Sequence, residues 1–207
     1  MDKNSEVGAM LNLLERDWGE YSEIQARLKS WEHYGILLKR LRELRREVLF
    51  KSPIHGLGHI ERTMLFGAII AMEEKLDAKD TELLLLCCSY HDVGRINDHW
   101  DTEHGGRSAL KIEELTGLAG EDLKTAMAAV EAHSIPDAYR EDVVARYEPE
   151  CFEHAMDIAG MLKDADGLDR VRISDLDPIF LRRACSPKYE RFAYALYELY
   201  KKEEGRT

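Results

Sequence analysis

The stretch Asp80–Arg95, DTELLLLCCSYHDVGR, contains the longest apolar run of the chain, Leu83 to Cys88. Leu84, Cys87 or Cys88, and His91 recur at i, i+3/i+4, the spacing of one helix face. Asp80 or Thr81 stands where a helix cap is needed, and Gly94 where the helix should stop. The imidazole of His91 therefore extends a buried stripe, with Asp92 at the same helix end. A carboxylate and an imidazole buried together are costly unless they are paired or bound to metal.

The same period recurs on both sides of this stretch. Helices are expected near Glu6–Trp18 and over Gln25–Phe50, where Leu37, Leu41, Leu44 and Val48 share a face. Ser52-Pro53 interrupts the pattern, and His55-Gly56-Leu57-Gly58-His59 leads into a helix striped by Leu57, Ile60, Met64, Ala68 and Ala71 or Met72. Further helices are expected at His104–Thr116, Glu121–His133, Cys151–Asp169, Leu176–Ala184 and Pro187–Lys202. No alternating strand pattern and no internal repeat occurs. The fold class is all-α: a compact helical domain over residues 51–207, with N-terminal flanking helices in residues 1–50 packed on it. Those N-terminal helices either cover the domain or mediate a homodimer. The basic stretch Lys39–Arg46 reads as a solvated helix face.

Composition narrows the partners. The 207 residues are 44% hydrophobic and 33% charged, as in a globular protein. Nothing reaches the ~18 apolar residues of a membrane span, and the N-terminus lacks a signal-like apolar stretch. Residues 1–50 carry nine basic and nine acidic side chains, so the net charge of −11 belongs entirely to residues 51–207. An acidic body disfavours nucleic-acid polymers and anionic membranes. Cys87, Cys88, Cys151 and Cys185 lack metal-site spacing and read as reduced core or near-core thiols of a cytoplasmic protein.

The other histidines repeat the logic of His91. Leu123, Met127, Val130 and His133 form one stripe, and His104, Ser108, Ile112 and Leu115 another. Phe152, Ala155, Ala159, Leu162 and Asp166 form a third, with Asp169 one turn on. Asp164 lies about 200° around that helix from Asp166, which favours Asp166 as the inward carboxylate. A single inward His is usually a hydrogen-bonded core residue. Five inward polar groups at helix ends, with His59 bordering its own stripe, instead suit a divalent metal such as Mn, Fe, Co, Ni or Zn.

The ordered series His59-Ile60-Glu61-Arg62, His91-Asp92-Val93-Gly94-Arg95 and Lys163-Asp164-Ala165-Asp166 resembles the HD-domain superfamily of metal-dependent phosphohydrolases. The resemblance covers roughly residues 52–172. It implies that His59, His91, Asp92 and Asp166 ligate one metal and that Asp92 bridges to a second. His104 and His133 resemble the extra histidines of dinuclear members, so two divalent ions are expected. Iron or manganese is favoured over Mg, Co, Ni or Zn. Dinuclear members include hydrolases and diiron oxygenases, so the ligand set alone does not choose between hydrolysis and oxidation. The two adjacent histidines and the Gly-Tyr-Pro signature of the cyclic-dinucleotide phosphodiesterases are missing, because His133 is followed by Ser134.

The reaction implied is hydrolysis of a phosphoester or phosphoanhydride in a nucleotide or other small phosphorylated metabolite. A metal serves it by acidifying water and neutralising phosphoryl charge. Asp92, Arg95 and Arg62 are the expected catalytic residues. Arg95, Arg107, Lys163 and His55 are the expected substrate contacts, Arg95 standing where many relatives have lysine and offering a planar fork. Lys163 and Asp169 are also placed to shape the site, and His99 lies in a neighbouring loop. The alternatives are a diiron oxygenase and a regulatory metal-binding module, the second disfavoured by the complete ligand set.

Overall fold

A helix apolar on every side has to be a central one, and two here qualify. Helix α4 (Leu57–Glu74) is buried without interruption from His59 to Ala71, and α5 (Ala78–Tyr90) from Leu83 to Tyr90. Around them the computed structural model, which describes residues 8–205, places α1 (Ala9–Leu14), α2 (Ser22–Ser30), α3 (Tyr34–Glu43), α6 (His104–Ala109), α7 (Ile112–Thr116), α8 (Gly120–His133), α9 (Arg140–Arg146), α10 (Phe152–Leu168) and α11 (Glu190–Glu204). No strand occurs among the described residues, and the fold is all-α. Helix α10 packs against α4 and α8, while α6 crosses α8. The resulting core joins Leu65, Phe66, Leu84, Val130 and Leu162. No helix among the described residues is long and apolar enough to cross a membrane.

The N-terminal helices cover the core. Helix α1 lies on α4 and α11, and α3 on α4 and α5. One buried carboxylate ties both chain ends to the centre: Glu61 accepts the backbone N–H of Met10 and the hydroxyl of Tyr200, at 2.9 and 2.7 Å.

Several boundaries differ from those expected. The expected start at Glu6 lies outside the described residues. The Gln25–Phe50 helix divides into α2, α3 and a 3-10 turn at Arg46–Val48, and the His104–Thr116 helix breaks between α6 and α7. The α5 cap is Asp77, whose side chain accepts the Asp80 N–H, rather than Asp80 or Thr81. Helix α9 occupies part of what read as the loop 135–150. The helix expected over Leu176–Ala184 is absent; only a 3-10 turn forms at Pro178–Phe180. Its backbone N–H groups at Arg182 and Arg183 are taken instead by the Asp164 carboxylate at 2.7–2.9 Å. The four thiols are free, with Cys87 and Cys88 buried as expected. Cys185 is half-buried and Cys151 is exposed at the start of α10, so the latter is not a core thiol.

Candidate metal centre

Five helices deliver one cluster. His59 sits in the first turn of α4, His91 and Asp92 follow α5, His104 opens α6, His133 closes α8 and Asp166 lies in the last turn of α10. Two close approaches bring α6 into place. A Cβ on Gly94 would lie 2.4 Å from the His104 carbonyl oxygen, and one on Gly105 2.7 Å from that of Glu131. Glycine at both positions lets the α6 backbone touch the His91-Asp92 turn on one side and the end of α8 on the other. The His104 and His133 helix ends thereby meet.

The ring nitrogens fall into two facing pairs. Nε2 of His59 and His91 are 3.0 Å apart, and Nε2 of His104 and His133 are 2.9 Å apart. Each ring is held from behind by an acceptor. His91 Nδ1 donates to the Cys88 carbonyl, His104 to Asp101, His133 to Val130, and His59 to the Asp169 carboxylate at 2.8 Å. A carbonyl or carboxylate oxygen only accepts, so each Nδ1 carries a proton, and a neutral ring held this way turns its Nε2 lone pair inward. Two lone pairs facing each other at 3 Å repel unless a cation lies between them. The donor set therefore fits a divalent metal.

Asp92 stands between the pairs. Its Oδ2 is 3.5 Å from His59 Nε2 and 3.8 Å from His91 Nε2, while Oδ1 is 3.1 Å from His104 Nε2 and 3.5 Å from His133 Nε2. Oδ1 is buried and makes no hydrogen bond. Asp166 Oδ1 closes the first group, 3.4 Å from His59 Nε2. His59, His91 and Asp166 keep their donor atoms within 4.8 Å of one another, as do His91, Asp92 and His133. Burial pushes the His91 imidazole down to about 3 and also lowers His133, so both are neutral at physiological pH. Burial alone would raise Asp92 and Asp166. For Asp92 the surrounding imidazoles outweigh it, for Asp166 His59 and Arg172 do, and both carboxyls are held below their usual range. Neutral imidazoles and ionised carboxylates are the states that bind metal.

Residues 56–171, more than half of the chain, match the family described as HD domain. The chain belongs to the HD-domain family. No curated protein and no solved structure matches it.

Around the HD-domain ligands, the remaining candidates separate by what their side chains touch. Asp169 is an orienting residue: besides His59 it accepts Arg62 Nε at 2.6 Å and Nη2 at 3.0 Å. Arg62, expected to be catalytic, is engaged by that carboxylate. Its buried guanidinium is spent on Asp169 and stacks between the Tyr197 and Tyr200 rings, at 5.0 and 4.9 Å. Lys163, expected as a substrate contact, donates its ammonium to the carbonyls of Ala132 and Ile135 and braces the end of α8 beside His133. Arg107 is engaged by Gly94 O, Asp101 and Glu103. His99 is exposed.

Asp164 is not the outward residue that helix geometry suggested. It is fully buried on the far side of α10, beneath the segment carrying Arg182 and Arg183. The facing of α10 is two-sided, since α4 and α8 cover one flank and residues 181–183 the other.

Arg95 and His55 do reach the centre. Arg95 Nε lies 3.0 Å from Asp92 Oδ2, yet neither Nε nor Nη1 makes a hydrogen bond. His55 Nδ1 lies 3.1 Å from Asp92 Oδ2, close enough for His55, His59 and Asp92 to form a further donor triad. One residue was missed altogether. Arg172 approaches Asp166 and Asp169 from a 3-10 turn at Asp169–Ile173. The signal was present in the i+3 steps from Asp166 to Asp169 to Arg172.

Asp169→Asn tests the orienting contact. The ligands remain, but the acceptor that holds the His59 proton on Nδ1 is weakened. Metal affinity is expected to fall by roughly 10–100-fold. Competition against a chelating dye measures it, and unchanged affinity would show that the contact does not set the His59 tautomer.

Proposed function

We propose that this HD-domain protein is a hydrolase that uses two divalent ions, iron or manganese, to cleave a phosphoester or phosphoanhydride bond. Its substrate would be a nucleotide or other small phosphorylated metabolite. One observation carries the reading: four imidazole Nε2 atoms gather around Asp92 beside buried arginine N–H groups that make no hydrogen bond. The imidazoles suit a metal, and unspent guanidinium donors suit an oxyanion. An oxygenase would account for the first feature and leave the second without a purpose.

His59, His91, Asp92 and Asp166 would hold one ion, and His104 and His133, with Asp92, a second. Imidazole and carboxylate donors together suit a borderline divalent ion such as iron or manganese. Ions held there supply positive charge to a phosphoryl group and make a water acidic near neutrality. The chain contributes the rest. Asp169 keeps the His59 proton at Nδ1, the walls of α4, α5 and α8 exclude bulk water, and Arg95 offers Nη1 to a phosphoryl oxygen.

Metal analysis of protein purified without chelator, followed by assays on nucleotides and p-nitrophenyl phosphate, tests the proposal. About two ions per chain are expected, falling to about one when His104 and His133 are both replaced by Ala. Wild type that saturates at one ion would remove the second site. Metal-loaded protein that hydrolyses no phosphate ester or anhydride would overturn the hydrolase reading.

A further inference from the structure

Arg172 reaches the centre from a part of the chain that no ligand occupies. Its side chain is only 5% exposed. Nε donates to the Ile54 carbonyl at 2.9 Å, which fixes the guanidinium plane across 118 residues of sequence. Nη2 lies 3.2 Å from His55 Nδ1. Nη1 is buried and makes no hydrogen bond, although Asp169 Oδ2 and Asp166 Oδ1 lie 3.6 and 3.8 Å away. Arg95, reaching Asp92 Oδ2, leaves a second buried Nη1 without a hydrogen bond.

His55 makes this arrangement informative. Its Nδ1 faces both Asp92 Oδ2, which can only accept, and Arg172 Nη2, which can only donate. A single ring nitrogen cannot satisfy both, so one of the two contacts is open in either tautomer. A buried guanidinium N–H without a partner is costly. A fixed guanidinium with an unpaired Nη is suited to receive an anionic oxygen.

We infer that Arg172 and Arg95 form a two-jawed phosphoryl-binding subsite beside Asp92, with Arg172 as its unrecognised second jaw. The inference rests on the hydrolase reading above and specifies the substrate end. Two buried guanidinium groups on either side of the His55–Asp92 contact match a dianion with three free oxygens better than a diester monoanion with two. The substrate is thus a terminal phosphoryl group, either a monoester or the last phosphate of an anhydride. Arg172 acts on the substrate and is not itself a metal donor.

Isothermal titration of the metal-loaded full chain with inorganic phosphate tests this, with dimethyl phosphate as the diester probe. In R172Q, phosphate affinity is expected to fall by roughly 10–100-fold, the weight of one or two charge-assisted hydrogen bonds. Metal content stays at the wild-type level. R172K, which keeps the charge but not the fork, is expected to fall between the two, and it decides the question if R172Q does not fold. Phosphate affinity unchanged in the folded variants overturns the assignment. Loss of metal in them overturns it as well, by making Arg172 a positioning residue for Asp166. Dimethyl phosphate binding wild type as tightly as phosphate does would overturn the terminal-group preference. Wild type that holds its metal and binds no phosphate at all defeats the hydrolase reading itself, a failure seen without any variant.

Discussion

Asp92→Ala is expected to give a folded helical protein that retains no metal and no hydrolytic activity. The carboxylate is the one group that touches both histidine pairs, with Oδ2 directed at His55, His59 and His91 and Oδ1 at His104 and His133. Without it the remaining donors are neutral imidazoles and Asp166, and two dications would face a single negative charge. The loss should exceed the 10–100-fold cost of removing an outer partner such as Asp169. Folding should survive, because the core of α4, α5, α8 and α10 does not depend on this side chain and the vacated charge no longer has to be buried. Helical circular dichroism with metal analysis reads both halves of the result. Full metal occupancy in the variant would remove Asp92 from the centre.

The second large effect separates two aspartates only two residues apart. Asp164→Ala is expected to destabilise the fold by about 3 kcal/mol or more, while the folded fraction keeps its metal. The carboxylate accepts the backbone N–H groups of Arg182 and Arg183 and pairs with the Arg182 guanidinium at 3.2 Å. Each buried donor left unpaired costs about 1–3 kcal/mol. Asp166→Ala should behave in the opposite way. Its side chain is 22% exposed, it anchors no backbone, and its oxygen faces His59. Metal is lost and the stability of the metal-free chain changes little. Urea unfolding of the metal-free variants, set against their metal content, distinguishes the two. Metal loss from the Asp164 variant with an intact fold would mean that α10 presents a different face to the histidines.

Helical periodicity made most of the centre legible in advance. His91, His133 and Asp166 continue apolar stripes of α5, α8 and α10, and such a stripe is a local property of 3.6 residues per turn. The all-α fold follows from the same regularity, and so does the meeting of His104 with His133 across the connection between α7 and α8. The sequence by itself therefore determined that His91, His133 and Asp166 point inward.

What those side chains touch was decided by tertiary structure. Arg62 and Asp169 are 107 residues apart and Lys163 and the Ala132 carbonyl 31 apart, so no spacing rule could show that these cations were already spent. Asp164 read as outward because a helical wheel assumes one covered face, whereas α10 is covered on two. The same carboxylate took the N–H groups that a helix over Leu176–Ala184 would have needed, and long-range hydrogen bonding overrode local propensity there. Arg172 is the converse case: its i+3 step from Asp169 was visible, but only the closing of residues 52–55 onto the 3-10 turn at 169–173 gave it a place at the centre. Inward direction is written in local periodicity. Hydrogen-bond partnership depends on which distant segments meet, and so it exists only in the folded chain.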